Sequence, residues 1–173
     1  MRKPFENEFP DDKYFSFYIE KVESQNVIDV LMAQESLVKK IYKNLSEEQK
    51  KYQYAVGKWT PQQILGHLTD TERIFGYRAL CIARGEKQSL PGFDENEYMD
   101  ASHFNEIPFE SLLEQYRLVR KSSIALFSSF SEEVASRLGI ANGHAVSARA
   151  LVWMIAGHER HHLNILKERY NIG

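Results

Sequence analysis

Between Ser147 and Tyr170 apolar residues recur at the spacing of an α-helix, and two histidines fall inside the same stripe. Taking His158 as zero and advancing ~100° per residue, Leu151, Ile155, His162, Ile165 and Leu166 share one sector less than half the helix wide. Such a stripe must be buried against other elements, so this chain has to place imidazoles in its core. A buried polar group without a hydrogen bond or a metal costs roughly 1–3 kcal/mol. His158 and His162 are four residues apart, about one helical turn, near enough to hold one metal ion between them.

A third histidine repeats the pattern. From Thr60 to Arg84, Ile64, His67, Leu68, Thr71, Ile74, Phe75 and Ile82 lie on one helical face. A single histidine on an apolar face is ordinarily a hydrogen-bonded core residue. Two at i, i+4 with a third on a second core-facing helix point instead to a ligand set. His67, His158 and His162 are therefore the expected ligands of a divalent metal, zinc or nickel, with at least one coordination position open to water or substrate.

The neighbouring polar residues are less decisive. His158-Glu159-Arg160-His161-His162 satisfies H-E-x-x-H, the metalloprotease signature in which glutamate is the general base. The longer signature wants glycine at 165 and histidine at 168, where this chain has Ile165 and Glu168, so the helix continues and the protease reading is set aside. Glu159 lies at the margin of the stripe, either beside a ligand or in solvent, with solvent the expectation. Asp70, three residues after His67, either orients that imidazole or is a solvated helix charge. No catalytic residue is assigned beyond these two candidates for a supporting role. His161 lies on the flank of the stripe, and His103 and His144 fall in expected loops. Arg78 and Arg169 share faces with the stripes, either as packed stems with solvated charges or as anion clamps.

The rest of the chain reads as helix. Residues 1–18 form an aromatic, acidic arm expected to pack over a bundle or to make a dimer contact. A long helix is expected over Val22 to Leu45, and Ser46-Glu47-Glu48-Gln49 resembles a capping box opening a short turn. Thr60-Pro61-Gln62-Gln63 combines an N-cap, a proline at the first helical position and a capping-box glutamine, and Gly85 marks the stop. Residues 86–107 form the longest break, and such a loop is usually functional or a crossover. A third long helix is expected over Phe109 to Phe130, a short one over Ser131 to Arg137, and a last one from a Ser147 cap to Tyr170, after an Asn142-Gly143 turn. No strand alternation stands out. Four long amphipathic helices in 173 residues imply one all-α four-helix-bundle domain over 1–173.

Composition narrows the function classes. Net charge is −2 with both signs interspersed, so a nucleic-acid partner is not expected. The single cysteine, Cys81, excludes an internal disulfide or a cysteine-based zinc cluster. No apolar run approaches ~20 residues and no secretory leader is apparent, so no membrane partner and a cytoplasmic location are expected.

Three stretches together resemble the DinB/YfiT-like family of metal-binding four-helix bundles. These are Trp59-Thr60-Pro61 with Ile64-Leu65-Gly66-His67-Leu68-Thr69-Asp70, then Leu90-Pro91-Gly92-Phe93-Asp94-Glu95-Asn96, and last Trp153-Met154-Ile155-Ala156-Gly157-His158-Glu159-Arg160-His161-His162. The resemblance spans about Tyr52 to Tyr170. It implies an up-down-down-up bundle, often a homodimer, with a histidine triad holding a divalent metal at the base of a cleft. Carried over by position, that triad is His67, His158 and His162. It also implies chemistry of two kinds on a small-molecule substrate, hydrolysis or transfer of a low-molecular-weight thiol serving as co-substrate. Set against this enzyme reading are a non-catalytic metal- or ligand-binding, stress-related helical dimer and a helical dimer whose histidines are only core hydrogen-bonders.

Overall fold

Side-chain caps set where each helix begins. In the computed structural model, which describes residues 1–173, α1 spans Lys13–Ile19 and α2 spans Val27–Lys43. The latter starts later than the periodicity predicts, because Ser24 and Asn26 close a turn, the Asn26 amide donating to Ser24 Oγ at 3.1 Å. Asn26 Oδ1 then accepts from the Ile28 amide at 3.2 Å as the N-cap. The capping box at Ser46 opens α3, Glu47–Lys51. That at Thr60 opens α4, Pro61–Ala83, with Gln63 Oε1 accepting from the Thr60 amide at 2.8 Å. Gly85, at φ +87°, follows its end.

The 86–107 connection is half helical, contrary to the expected loop. Asp94 Oδ1 accepts from the Asn96 and Glu97 amides at 2.8 and 3.0 Å and starts α5, Glu95–Ser102. Next come α6, Phe109–Ser128, and α7, Glu132–Ala135. The chain then makes a hairpin that the periodicity does not show, β1 Leu138–Ala141 against β2 His144–Ser147, paired Ala141 with His144 and Leu138 with Ser147. Its turn is Asn142-Gly143, both at positive φ (50° and 77°) as a two-residue hairpin requires. Ser147 Oγ accepts from the Ala150 amide at 2.9 Å to open α8, Ala148–Tyr170. No helix is long and apolar enough to cross a membrane.

Contacts at the helix ends give the topology. Tyr42 near the end of α2 donates to the Pro61 carbonyl at 3.1 Å and stacks on Phe109, so α2 runs against both α4 and α6. Tyr170 at the end of α8 donates to the Trp59 carbonyl, so α8 also runs against α4. Glu72 pairs with Arg120, and Gly76 lies under Phe127, so α4 and α6 run parallel. The order is up-down-down-up, with α5 in the long crossover between the two parallel helices. α1 lies across α8, at a place where Gly157 is required because a Cβ there would sit 1.9 Å from the Tyr18 carbonyl oxygen.

The apolar core is in two parts. One includes Phe15, Leu31, Phe75, Phe127 and Trp153; the other includes Val38, Leu65, Tyr116, Leu163 and Tyr170. Between them each long helix contributes buried polar side chains: Gln34 from α2, Thr71 and Glu72 from α4, Arg120 and Ser123 from α6, and His158, Glu159 and His162 from α8. A polar layer therefore crosses the whole bundle.

Candidate metal centre

His67 projects from the first half of α4, and His158 and His162 from the middle of α8, into one point. His67 Nε2 is 3.0 Å from His158 Nε2, which is 3.2 Å from His162 Nε2. All three ligand atoms lie within 4.8 Å of one another. Hydrogen bonding explains this convergence poorly, because His158 Nε2 faces two other ring nitrogens with one proton or one lone pair to offer. A metal explains it well. Bonds of about 2.0–2.1 Å from one cation place tetrahedral nitrogens about 3.3 Å apart and octahedral neighbours about 2.9 Å apart. The rings are kept neutral, the form that ligates: burial lowers the His67 pKa to about 4. Burial, and then the neighbouring histidines, push His158 and His162 well below 6.5. The buried Nδ1 of His162 has no partner, so its ring is oriented by packing, with Trp59 stacked at 6.3 Å.

The centre borders a cleft of about 450 Å³, a size suited to a small molecule. Four segments outside the ligand helices wall it: Asp12, Tyr14, Phe15 and Tyr18 around α1, Trp59 before α4, Phe93 and Glu95 at α5, and the hairpin around His144. Burial, followed by the charges of Tyr14 and Glu95, raises Tyr18 to about 12, so its hydroxyl is a donor at neutral pH. Periodicity marks out none of these wall residues; the aromatic arm holds the α1 side chains, and Trp59, Phe93 and Glu95 fall in the stretches that resemble the family.

Glu159 is fully buried rather than solvated. Its carboxylate accepts from Arg120 at 2.6 Å and Tyr116 at 2.8 Å, on the α6 side of α8, and does not border the cleft. Burial raises its pKa, with Arg120 opposing. Arg120 also holds Glu72, Nη2 to Oε2 at 2.7 Å, and donates to the Leu31 carbonyl at 3.1 Å. This buried network escapes a search for chemistry-bearing motifs, although Arg120 follows Tyr116 by four residues on the inner face of α6. Asp70 pairs with Arg73 at 2.9 Å and touches no histidine. His161 flanks the centre against Phe17 and Tyr18. His144 lies on β2 and borders the cleft, while His103 is exposed beside Glu106. Arg169 is exposed, and Arg78 is buried.

A parallel-crossover four-helix bundle with three histidines converging under a cleft defines a class of helical proteins with a candidate metal site. The family model described as the DinB superfamily matches residues 31–166, and the chain belongs to that superfamily. A relative from Oceanobacillus iheyensis, provisionally named a metal-dependent hydrolase, is 24% identical over 126 residues, 72% of each chain. YfiT from Bacillus subtilis, described as a probable metal-dependent hydrolase with an unusual four-helix bundle topology, superposes with a TM-score of 0.75 at 17% identity, over 88% of this chain and 93% of that one.

Proposed function

We propose that this protein is a metal-dependent enzyme that hydrolyses a small molecule bound in the cleft above His67, His158 and His162. The observation that carries the reading is the convergence of three neutral imidazole nitrogens at metal-ligand separations beside a cavity of substrate size. Zinc or nickel held there is a Lewis acid that lets a water or a thiol lose its proton near neutral pH. The protein's part is binding and orientation. The three rings fix the reactive position, Tyr18 supplies a hydroxyl donor at the wall, and the aromatic side chains exclude bulk water.

Transfer of a low-molecular-weight thiol is the second reading, favoured by one observation. The carboxylates bordering the cleft, Asp12 and Glu95, belong to its α1 and α5 walls, and Glu159 is turned away. Ionising a thiol at the metal needs no carboxylate base, whereas hydrolysis ordinarily gains from one.

Metal content by mass spectrometry tests both. Wild-type protein offered zinc or nickel should hold about one ion per chain, and His67→Ala and His158→Ala should each lose it. Wild-type protein that stays metal-free would overturn the reading. Loaded protein is then assayed against ester, amide and thiol-acceptor libraries.

A further inference from the structure

Arg78 is the one guanidinium bordering the cleft, and it has no counter-ion. The residue is only 6% exposed. Its Nη2 donates to the Pro91 carbonyl at 2.5 Å, and no other hydrogen bond is made, so most of its five N–H donors are unused. Phe75 and Phe93 flank it, 5.5 and 5.7 Å from ring centre to guanidinium carbon. None of its nitrogens is sealed off without a partner, so the remaining donors open to the cleft, and a cation this nearly buried is suited to engagement by a ligand there. Burial pulls the Arg78 pKa down, opposed by Tyr14 and Tyr98, but from so high an ordinary value that the group stays cationic at neutral pH.

The nearby acids do not neutralise it. Asp12 is occupied as the cap of α1, accepting from the Tyr14 amide at 2.7 Å, and Glu95 is exposed on the first turn of α5 without an ion pair to Arg78. Position gives the vacant donors a meaning. Arg78 lies eleven residues after His67 on α4, three turns along the same face, which puts the two Cα atoms about 16 Å apart. Thr71 and Phe75 line the floor between them, and Leu151 and Met154 of α8 face them across the cleft.

We propose that Arg78 binds the carboxylate of the substrate, which is an elongated monocarboxylate with its reacting group at the histidines and its apolar middle against Phe75, Leu151 and Met154. A planar carboxylate matches the guanidinium fork, and a single cation with two acids nearby suits a monoanion better than a phosphate dianion. Placement of the reacting end rests on the proposed metal centre; the anion site itself does not.

The test therefore begins with metal-free protein. Straight-chain alkanoates from butanoate to decanoate are titrated calorimetrically beside the alcohols of equal length. Wild-type protein should bind the best-fitting acid at least about ten-fold more tightly than its alcohol. Arg78→Gln should erase that difference while leaving alcohol binding as it was, and Arg78→Lys should retain part of it. Acid and alcohol binding equally to wild-type protein would overturn the proposal, and that comparison needs no variant to fold. The series is then repeated on nickel-loaded protein with ω-mercapto acids and mercapto alcohols, following thiolate-to-nickel absorption. Failure to load nickel alongside acid-selective binding refutes the metal reading alone. Successful loading with no preference for acids refutes the carboxylate site alone.

Discussion

Replacing Arg120 by methionine tests whether the polar layer is an ionised network. The guanidinium is 1% exposed and serves two carboxylates, Glu72 through Nε and Nη2 and Glu159 through Nη2 at 2.6 Å. Burial alone would depress its pKa, but Glu159 and Glu72 outweigh that and hold it well above the ordinary value. Methionine fills much of the space yet leaves both carboxylates buried, with Tyr116 the one remaining donor to Glu159. Removing one partner of a buried pair costs about 3–5 kcal/mol, and one arginine here serves two acids, so the upper half of that range is expected near pH 7.5. The penalty should depend on pH. In the variant only the Tyr116 hydroxyl still opposes burial at Glu159, whose folded pKa then lies further above 4.5; the folded state binds more protons than the unfolded one between those values, so stability recovers as pH falls. Urea unfolding followed by helical circular dichroism at pH 7.5 and pH 5.5 measures both effects. Adding Glu72→Gln and Glu159→Gln to the variant should restore most of the loss. A cost below about 1 kcal/mol, or one equal at the two pH values, would refute the reasoning.

Acid should destabilise the metal-free protein: burial lowers His67 from 6.5 to about 4, so the unfolded state binds the proton first and about 3 kcal/mol is lost as pH falls through that window. His158 and His162 add in the same direction, and chemical unfolding at stepped pH would show a flat profile if the rings were already charged. At neutral pH, zinc or nickel at one hundred times its dissociation constant should raise stability by about 2.7 kcal/mol in wild-type protein and not in His158→Ala, read by thermal unfolding. Gly157→Ala drives a methyl into the Tyr18 carbonyl and should cost about 1–3 kcal/mol while making α1 more susceptible to protease; unchanged cleavage would count against the close approach. Asp70→Ala removes a surface pair with Arg73 and should leave metal content unchanged and stability within about 1 kcal/mol, whereas loss of metal would give Asp70 the orienting role its spacing allows.

The histidine-bearing helices are legible in the sequence because two strong signals coincide there. Thr60 and Ser147 cap helices whose inner faces carry the histidines at helical spacing, and end contacts in the structure agree with the bundle those faces require. The hairpin is obscured because its strands are four residues each and turn Leu138 and Ile140 outward, so no polar alternation marks them. Only Asn142-Gly143 betrays the turn. α5 is masked by its acidic composition and weak apolar face, although Asp94 is a good cap. Glu159 is misplaced by periodicity for a different reason: a charged residue at the edge of a stripe goes to solvent unless a partner waits inside, and Arg120 is 39 residues away in sequence.

The wall that α1 contributes to the cleft lies before residue 31, where the match to the superfamily begins, while all three histidines lie within it. The histidines and one wall of the cleft are thus carried by different stretches of chain. Changes at Tyr14 can reshape the cleft without touching a histidine, whereas Tyr18, edge-on to His158 with ring centres 5.5 Å apart, joins the wall to the histidine cluster. A bundle divided in this way can vary its arm, and with it the shape of the cleft, while the three histidines stay in place.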